Sequence, residues 1–573
     1  MSRDKGVFME KSAILHQSDS KFSFPVSDTK AVVRLRTKRN DTIKSVVVVW
    51  ATAHKFWQAQ TRTQMSVKYS DQVCDWYECE IDNGCPGYSY IFEITDADGS
   101  VWYYNESGFD TVMRINRSFE DNFTVVFPNE KDIVTPNKQF EGRVFYQIFP
   151  ERFAQASNKA DKSYINMDWT TDEPDNLKFA GGDLVGIREK LPYLKDLGIG
   201  AIYMTPIHQS VSAHKYDVDD YFSVDKMFGN LSDLKALVDA AHELDIKIVL
   251  DLVFNHSSYY NPIFQDVVKH GKKSKYYDWY FVYGDKPNKT KRNYNTFCDV
   301  WMMPKLNTNN PEVQDYLCRV GEFYLRDYGV DGYRLDVAFD VSHDFWRIFK
   351  RRMLAVNPDV FIIGEDWQNS ESFLGNDQWD SIMNYAFKYA CGRYFVENRY
   401  DAKAFCDYLN SALMRYKDGT NRMMLNLVDS HDTPRFYEEL GKNKALELLT
   451  IAALVFYPGN PMIYYGDEIF MDGKQDPYNR KCMRWDSPEY AGHEHKVVRD
   501  LLQMRKDAVL IKGDTRIYEK DGLARIERSY DGVTLGLALN HSGKTVTLNE
   551  NIVYSYNCNG QQMQEASFAV YKL

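Results

Sequence analysis

Short apolar or alternating runs fill the first part of the chain. Val32–Thr37, Ser45–Trp50, Met65–Ser70, Trp76–Ile81, Tyr88–Ile94 and Val101–Asn105 are each five to seven residues long. Turn residues split them, among them Asp82–Asn83–Gly84 and Asp96–Ala97–Asp98–Gly99. Strand-length runs punctuated in this way predict an all-β domain over residues 1–135, best read as a β-sandwich. The segment 127–138 carries two prolines and mixed charge and reads as a linker.

From Val144 the period changes, and strands alternate with helices. The predicted strands are 144–149, 201–207, 247–253, 332–337, 361–365, 381–385, 423–428 and 461–466. The predicted helices are 184–198, 231–244, 311–329, 343–356, 444–457 and 495–509. Eight strands in this rhythm predict an α/β fold, a (β/α)8 TIM barrel over 136–510, with an irregular, aromatic-rich insertion after strand three at 257–304. A doubly wound sheet is the alternative. It would carry a glycine-rich first turn, and Gly181–Gly182–Asp183 is not one. Short β-runs return after Ile511, so 511–573 reads as a small C-terminal β-domain.

Composition narrows the partners. The net charge of −11 argues against a nucleic-acid surface. Aromatic residues make up 15 % of the chain, which leaves larger cores and ring stacking on sugars or bases both open. The nine cysteines form no CxxC pair, so free thiols are expected rather than a zinc site or a disulfide framework. No apolar leader opens the chain and no run is long enough to span a bilayer, so a cytoplasmic protein without a membrane partner is expected.

Barrel enzymes place their chemistry at the C-terminal ends of the strands. Strand three ends with Asp251, Asn255 and His256, and strand four with Arg334 and Asp336. Strand five ends with Glu365 and Asp366, and strand seven runs into Asp429, His431 and Asp432. Any one cluster could be an ordinary strand end or a buried ion pair; all four at one rim point to a site. The chain shows no serine elbow, phosphate loop or HExxH helix. Paired carboxylates suit glycoside hydrolysis, which with retention needs them about 5–5.5 Å apart. Arg334 shares a face with Asp336 and is expected to hold it ionised, as a nucleophile requires. Glu365 has no such partner in its own strand and is expected to be raised, as a general acid requires. Asp432 could stabilise positive charge in the transition state. A divalent-metal hydrolase is the competing enzyme class.

DLVFNH, GYRLDVAFD, GED and LVDSHD resemble the four signature regions of the α-amylase superfamily, glycoside hydrolase family 13. MPKLN at Met303–Asn307 resembles a fifth region, that of the neopullulanase, cyclomaltodextrinase and maltogenic amylase subgroup. The resemblance implies Asp336 as nucleophile, Glu365 as acid/base and Asp432 as transition-state stabiliser. It implies that Arg334, His256 and His431 line the subsite for the non-reducing-side glucose, that Asp251 supports Arg334, and that Tyr216 stacks beneath that sugar. Trp367 either meets the leaving-group sugar or anchors its loop. The implied substrates are α-glucan oligosaccharides, cyclodextrins or pullulan; the implied assembly is a homodimer built through a starch-binding-type N-terminal domain. Two stretches depart from the family. The subgroup follows RLDVA with Asn–Glu, where this chain has Phe339–Asp340, at positions facing acceptor sugars. Relatives also carry a calcium loop after ERF, of which Asp161, Gly181 and Asp183 remain. Calcium takes six to eight oxygens, so a weak site or none is expected, with no cofactor required.

Overall fold

The structure is a computed structural model that describes every residue except 1–7, 53–54, 83, 85–86, 115–120 and 126–131. Cys85, part of the 82–84 turn, and the first part of the expected linker lie outside the described residues. The chain packs as two compact units. One holds 1–135, 400–421 and 516–525; the other holds 136–399, 422–515 and 526–573.

The first unit contains two antiparallel sheets. One runs in the order Ser23–Pro25, Lys30–Lys38, Cys74–Asp82, Ser66–Ser70. The other runs Thr61–Gln64, Ile43–Thr52, Tyr88–Asp96, Val101–Asn105, Gly108–Asp110, with Phe123–Val125 against Tyr88–Asp96. The valine run at 46–49 is apolar throughout because the strand is covered on both faces. Val46, Val48 and Trp50 join a core with Leu35 and Phe92, while Val49 and Ala51 pack with Phe56 and Ile91. The helix Ala402–Leu413 belongs to this unit and was not among the predicted elements. Its signal is Asp401, an N-cap whose side chain accepts the Ala404 N–H. Arg39 ion-pairs with Asp407 at 2.6 Å, and Asn410 Nδ2 donates to Ser70 O at 3.0 Å.

The second unit contains the barrel. Its strands are β1 Phe145–Ile148, β2 Ala201–Met204, β3 Lys247–Leu252, β4 Gly332–Leu335, β5 Phe361–Gly364, β6 Ser381–Asn384, β7 Leu425–Asn426 and β8 Asn460–Tyr464. All pair in parallel in that order, and β1 pairs with β8 to close the ring. Every strand falls on a predicted one. Phe145, Tyr203, Val249, Phe361, Ile363 and Met383 contribute to one apolar cluster. Side chains alternate along a strand, so two residues beyond this apolar layer come Gln147, Asp251 and Glu365 on the same side. The barrel thus changes from apolar to polar towards the C-terminal ends of its strands.

The helices follow the period except where local chemistry interrupts it. The predicted helix 184–198 is two helices, Leu184–Glu189 and Leu191–Leu197, because Pro192 supplies no N–H to continue the first. The last predicted helix is also two, His493–Met504 and Ala508–Lys512, the second capped by Asp507. The insertion contains a helix, Pro262–His270, signalled by its Asn261 cap and first-turn proline. Beyond residue 526 this unit holds an antiparallel sheet in the order Val533–Asn540, Gln562–Lys572, Val546–Thr547, with Asn551–Asn559 against Gln562–Lys572. No helix among the described residues is long and apolar enough to cross a membrane.

Gly364 ends β5 with its back against Trp379, and a Cβ there would lie 2.3 Å from the indole. Trp379 cannot retreat freely, since it stacks on Phe373 at 4.1 Å. Gly364→Ala is expected to cost about 1–3 kcal/mol by overpacking and to lower turnover by shifting the adjacent Glu365. Thermal unfolding and turnover, measured side by side, check this; an unchanged midpoint would show that the indole yields.

Candidate active site

Strand register brings the first charges together. Asp251 on β3 lies directly opposite Arg334 on β4. Arg334 is fully buried. Its Nη1 donates to Asp251 Oδ1 and Oδ2 at 3.2 and 3.0 Å and to Asp336 Oδ1 at 2.9 Å. Its Nη2 lies 2.9 Å from Glu365 Oε2 and 3.9 Å from Asp432 Oδ2. One guanidinium therefore faces four carboxylates.

The chain turns sharply after β4. Val337 adopts φ 45° and ψ 41°, a left-handed conformation that strains a β-branched residue. That turn aims its N–H at Glu365 Oε2, 2.8 Å away. The Trp367 indole donates to the other oxygen, Oε1, at 3.3 Å. Asp251 accepts the hydroxyls of Tyr203 at 2.6 Å and Tyr216 at 2.9 Å. Behind Tyr216 stands His431, with Nε2 2.5 Å from the Tyr216 hydroxyl. The Gln147 side-chain amide meets His431 Nδ1 at 2.6 Å; when its nitrogen donates, the imidazole proton sits on Nε2, which faces the Tyr216 hydroxyl and, at 3.2 Å, Asp432 Oδ1. A relay thus runs from Gln147 through His431 and Tyr216 to Asp251 and Arg334.

A cavity of about 310 Å³ opens on this cluster. Asp336, Glu365, Asp432, Tyr216, His256 and Trp367 line it. Asp251, Arg334 and His431 lie buried beneath the lining residues. Tyr216 is parallel to His431, with ring centroids 5.4 Å apart. Trp367 lines the cavity and stacks on Tyr385 at 3.7 Å. Phe339 is not among the lining residues; it is 49 % exposed on the turn after β4. Its neighbour Asp340 pairs with Lys305, whose ammonium also donates to Asn255 Oδ1 at 2.8 Å. Asn176, His214, Phe297, Met303, Asp476 and Arg480 also line the cavity and were not read as site residues. For Arg480 the signal was a single motif, DPYNR, in which the arginine reaches Asp432 at 3.6 Å and Asp476 at 2.8 Å. Asn176 comes from a long loop and had no signal.

The expected contrast between Asp336 and Glu365 is corrected by this geometry. Burial raises both, Asp336 well above its ordinary value, and Arg334 opposes the rise in both, because the guanidinium contacts the two together. Glu365 is further raised by Asp432. Asp336 feels the like charges of Glu365 and Asp251. Asp251 is pushed up to about 6, chiefly by burial. Asp432 is also raised by burial, against the pull of Arg334 and Arg480. Burial takes His256 and His214 down to about 3 and His431 well below its ordinary value, so all three are neutral hydrogen-bonding groups.

The residues left from the calcium loop do not make a metal site. Asp183 caps the helix Leu184–Glu189 through Gly186 N–H, and its Oδ2 accepts the Lys159 ammonium at 2.7 Å. Asp161 is exposed and accepts from the backbone and hydroxyl of Ser163. Gly181 donates its N–H to Glu151 at 2.7 Å. Among the described residues no cluster of His, Cys, Asp or Glu is placed to hold a metal ion.

A family model described as alpha amylase, catalytic domain, matches residues 147–512. The chain belongs to the α-amylase family. A second model, alpha amylase, N-terminal ig-like domain, matches residues 9–129. Neopullulanase 2 of Thermoactinomyces vulgaris is 37 % identical over 544 residues, which cover 94 % of this chain and 92 % of that one. A cyclomaltodextrinase of Thermoanaerobacter pseudethanolicus is 37 % identical over 559 residues, 95 % of each chain. A solved cyclomaltodextrinase structure, 32 % identical, superposes with a TM-score of 0.91 and covers 98 % of this chain and 99 % of its own. This α-amylase family member is therefore a glycoside hydrolase of the cyclomaltodextrinase, neopullulanase and maltogenic amylase type.

The relay makes a checkable claim on Gln147, which is fully buried on β1 and lies beneath the cavity. Gln147→Leu leaves His431 Nδ1 without its donor. The cost of a buried unsatisfied polar group, about 1–3 kcal/mol, predicts a drop in kcat/KM of roughly tenfold. Gln147→Glu keeps the shape but accepts from Nδ1, reversing the tautomer, and is expected to be no better. Steady-state kinetics at matched folded fraction decide; wild-type kcat/KM in both variants would remove the relay from the reaction.

Proposed function

We propose that this α-amylase family member is a retaining α-glucan hydrolase that cleaves α-1,4 bonds of cyclodextrins, maltooligosaccharides or pullulan. The observation that carries the reading is the pairing of Asp336 and Glu365 on opposite terminal nitrogens of one buried guanidinium, at the floor of one cavity. In this reading Asp336 attacks the anomeric carbon while Glu365 gives its proton to the departing glycosidic oxygen, leaving a glycosyl–Asp336 ester. Glu365 then takes a proton from water, which attacks the same carbon and frees Asp336. Asp432, on the cavity wall between Arg334 and Arg480, stabilises the positive charge that develops on the sugar ring. His256 and Tyr216 hold the sugar on the non-reducing side, and Trp367 offers its indole on the other. Cleavage of α-1,6 bonds and transfer to a sugar acceptor instead of water belong to the same proposal. Both depend on the acceptor side, where Phe339 is half-exposed and Asp340 is paired with Lys305. A homodimer built through the N-terminal domain and a cytoplasmic location complete the reading; sedimentation velocity checks the first.

Glu365→Gln is expected to lower kcat about 10²–10⁴-fold, the usual worth of a general acid, and Asp336→Asn at least as much. Turnover that survives undiminished in Asp336→Asn would sink the mechanism. The reactive form needs Glu365 protonated, and its pKa is raised by burial and Asp432. Activity should therefore fall as pH rises through that raised value, giving a carboxylate, not a histidine, alkaline limb. A kcat/KM profile flat into the alkaline range contradicts this. Product analysis on cyclodextrin, maltotriose, pullulan and starch tests the substrate. Strong preference for starch would exclude the oligosaccharide reading, and a predominance of longer glucans would favour transfer over hydrolysis.

A further inference from the structure

The loop between β1 and the helix Leu184–Glu189 carries Asn176 to the wall of the active-site cavity. Met167 and Ala180 anchor one part of it in an apolar cluster with Cys482, and three further ties run through side-chain cations. Arg152 Nη2 donates to the carbonyls of Asp175 and Lys178. Lys159 makes the third tie and joins segments distant in sequence. Its ammonium donates to Asp183 Oδ2 at 2.7 Å and to Met227 O at 3.0 Å. The Tyr164 ring lies 5.4 Å from the nitrogen, and the Tyr164 hydroxyl donates to the same Met227 carbonyl at 2.9 Å.

Both charges of this pair are nearly out of water: the side chains of Lys159 and Asp183 are 9 % and 6 % exposed. A carboxylate buried to that degree is costly unless a cation sits on it. The buried cations nearby, Arg152 and Lys215, are already paired with Glu151 and Asp225. A carboxylate oxygen, a backbone carbonyl and a nearby exposed carboxylate, Asp161, are oxygen donors of the kind a hard divalent cation takes. Here an ammonium occupies that position.

We infer that the Lys159 ammonium is a built-in cation that does the work of a bound divalent ion, tying the Asn176 loop to Asp183 and to Met227 and making the loop independent of metal. Removing the ammonium exposes oxygen donors around an unpaired buried charge, and calcium, which is large and tolerant of irregular geometry, can take its place. Two variants separate the charge from the space. Lys159→Ser removes the ammonium and opens room beside Asp183. Lys159→Met removes the charge but fills the room.

The experiment is thermal unfolding of the full chain in EDTA and then in excess calcium chloride. The wild type should give the same midpoint in both. Lys159→Ser should melt several degrees lower in EDTA and regain most of the loss in calcium. Lys159→Met should melt lower and regain nothing. A wild-type midpoint that falls in EDTA overturns the inference, because the loop would then hold a metal as well. So does a Lys159→Ser midpoint equal to wild type, or a lowered one that calcium leaves unmoved. None of these readouts depends on glucan cleavage, so they stand or fall apart from the proposed reaction.

Discussion

The polar end of the barrel depends on one buried guanidinium. Four carboxylates, Asp251, Asp336, Glu365 and Asp432, lie within 3.9 Å of Arg334. Each would cost several kcal/mol to bury as an isolated ion. One positive charge cannot neutralise four negative ones, even with Arg480 at 3.6 Å from Asp432. The cluster therefore keeps protons at a pH where free carboxylates have lost theirs, and every one of the four is raised. With that surplus of carboxylate over cation, the four share protons as a group rather than titrating one by one. Removing Arg334 would leave all four without their common partner, and breaking even one buried pair typically costs about 3–5 kcal/mol.

The backbone meets the same need. Ordinary extended geometry carries β4 as far as Leu335. Val337 then turns left-handed, a conformation that costs on the order of 1–3 kcal/mol when the residue is not glycine. It persists because what the turn presents is bonded on both sides. Val337 N–H reaches Glu365, and the Ala338 carbonyl accepts the Trp346 indole at 2.9 Å. The strained residue is thus the join between the strand that carries Asp336 and the strand that carries Glu365. An apolar residue there reads as core in the sequence; its conformation reveals that its amide, not its side chain, serves the site.

The barrel was legible because its strands are buried on both faces and leave mostly apolar runs, four of which lead into clusters of charge. Asp251, Arg334, Asp336 and Glu365 were legible for the same reason, since alternation alone puts them on the inner face at one rim. What the pattern could not show was sharing. Glu365 has no cation in its own strand, so its expected isolation followed from reading strands singly; register places Arg334 between neighbours. The helix Ala402–Leu413 was missed because its apolar positions sit beside polar ones such as Asp407 and Asn410 that are buried and paired. Asn176 was missed because a loop residue has no period to betray it.

The rim loops share a constraint that the barrel wall does not. Apolar packing such as the Met167, Ala180 and Cys482 cluster fixes these loops only in part. Cations driven inward fix the rest. Lys215 and Asp225 pair at 2.7 Å with no exposure, and Arg435 ties Asp467 and the Asn479 carbonyl at 3.0 Å each. Arg480 donates to the His431 carbonyl at 2.9 Å, and Lys159 joins Asp183 to Met227. Each of these groups holds two chain segments through directional bonds and presents nothing apolar to the cavity. Directional ties also explain why the loops need no common hydrophobic pattern. Their sequences are constrained at the charged ends and free between them. Asp340 keeps the same rule, since its carboxylate meets Lys305, which in turn holds Asn255 at the end of β3. Phe339 has no such tie and stands half-exposed after the strand that carries Asp336, so it can vary without loosening the rim.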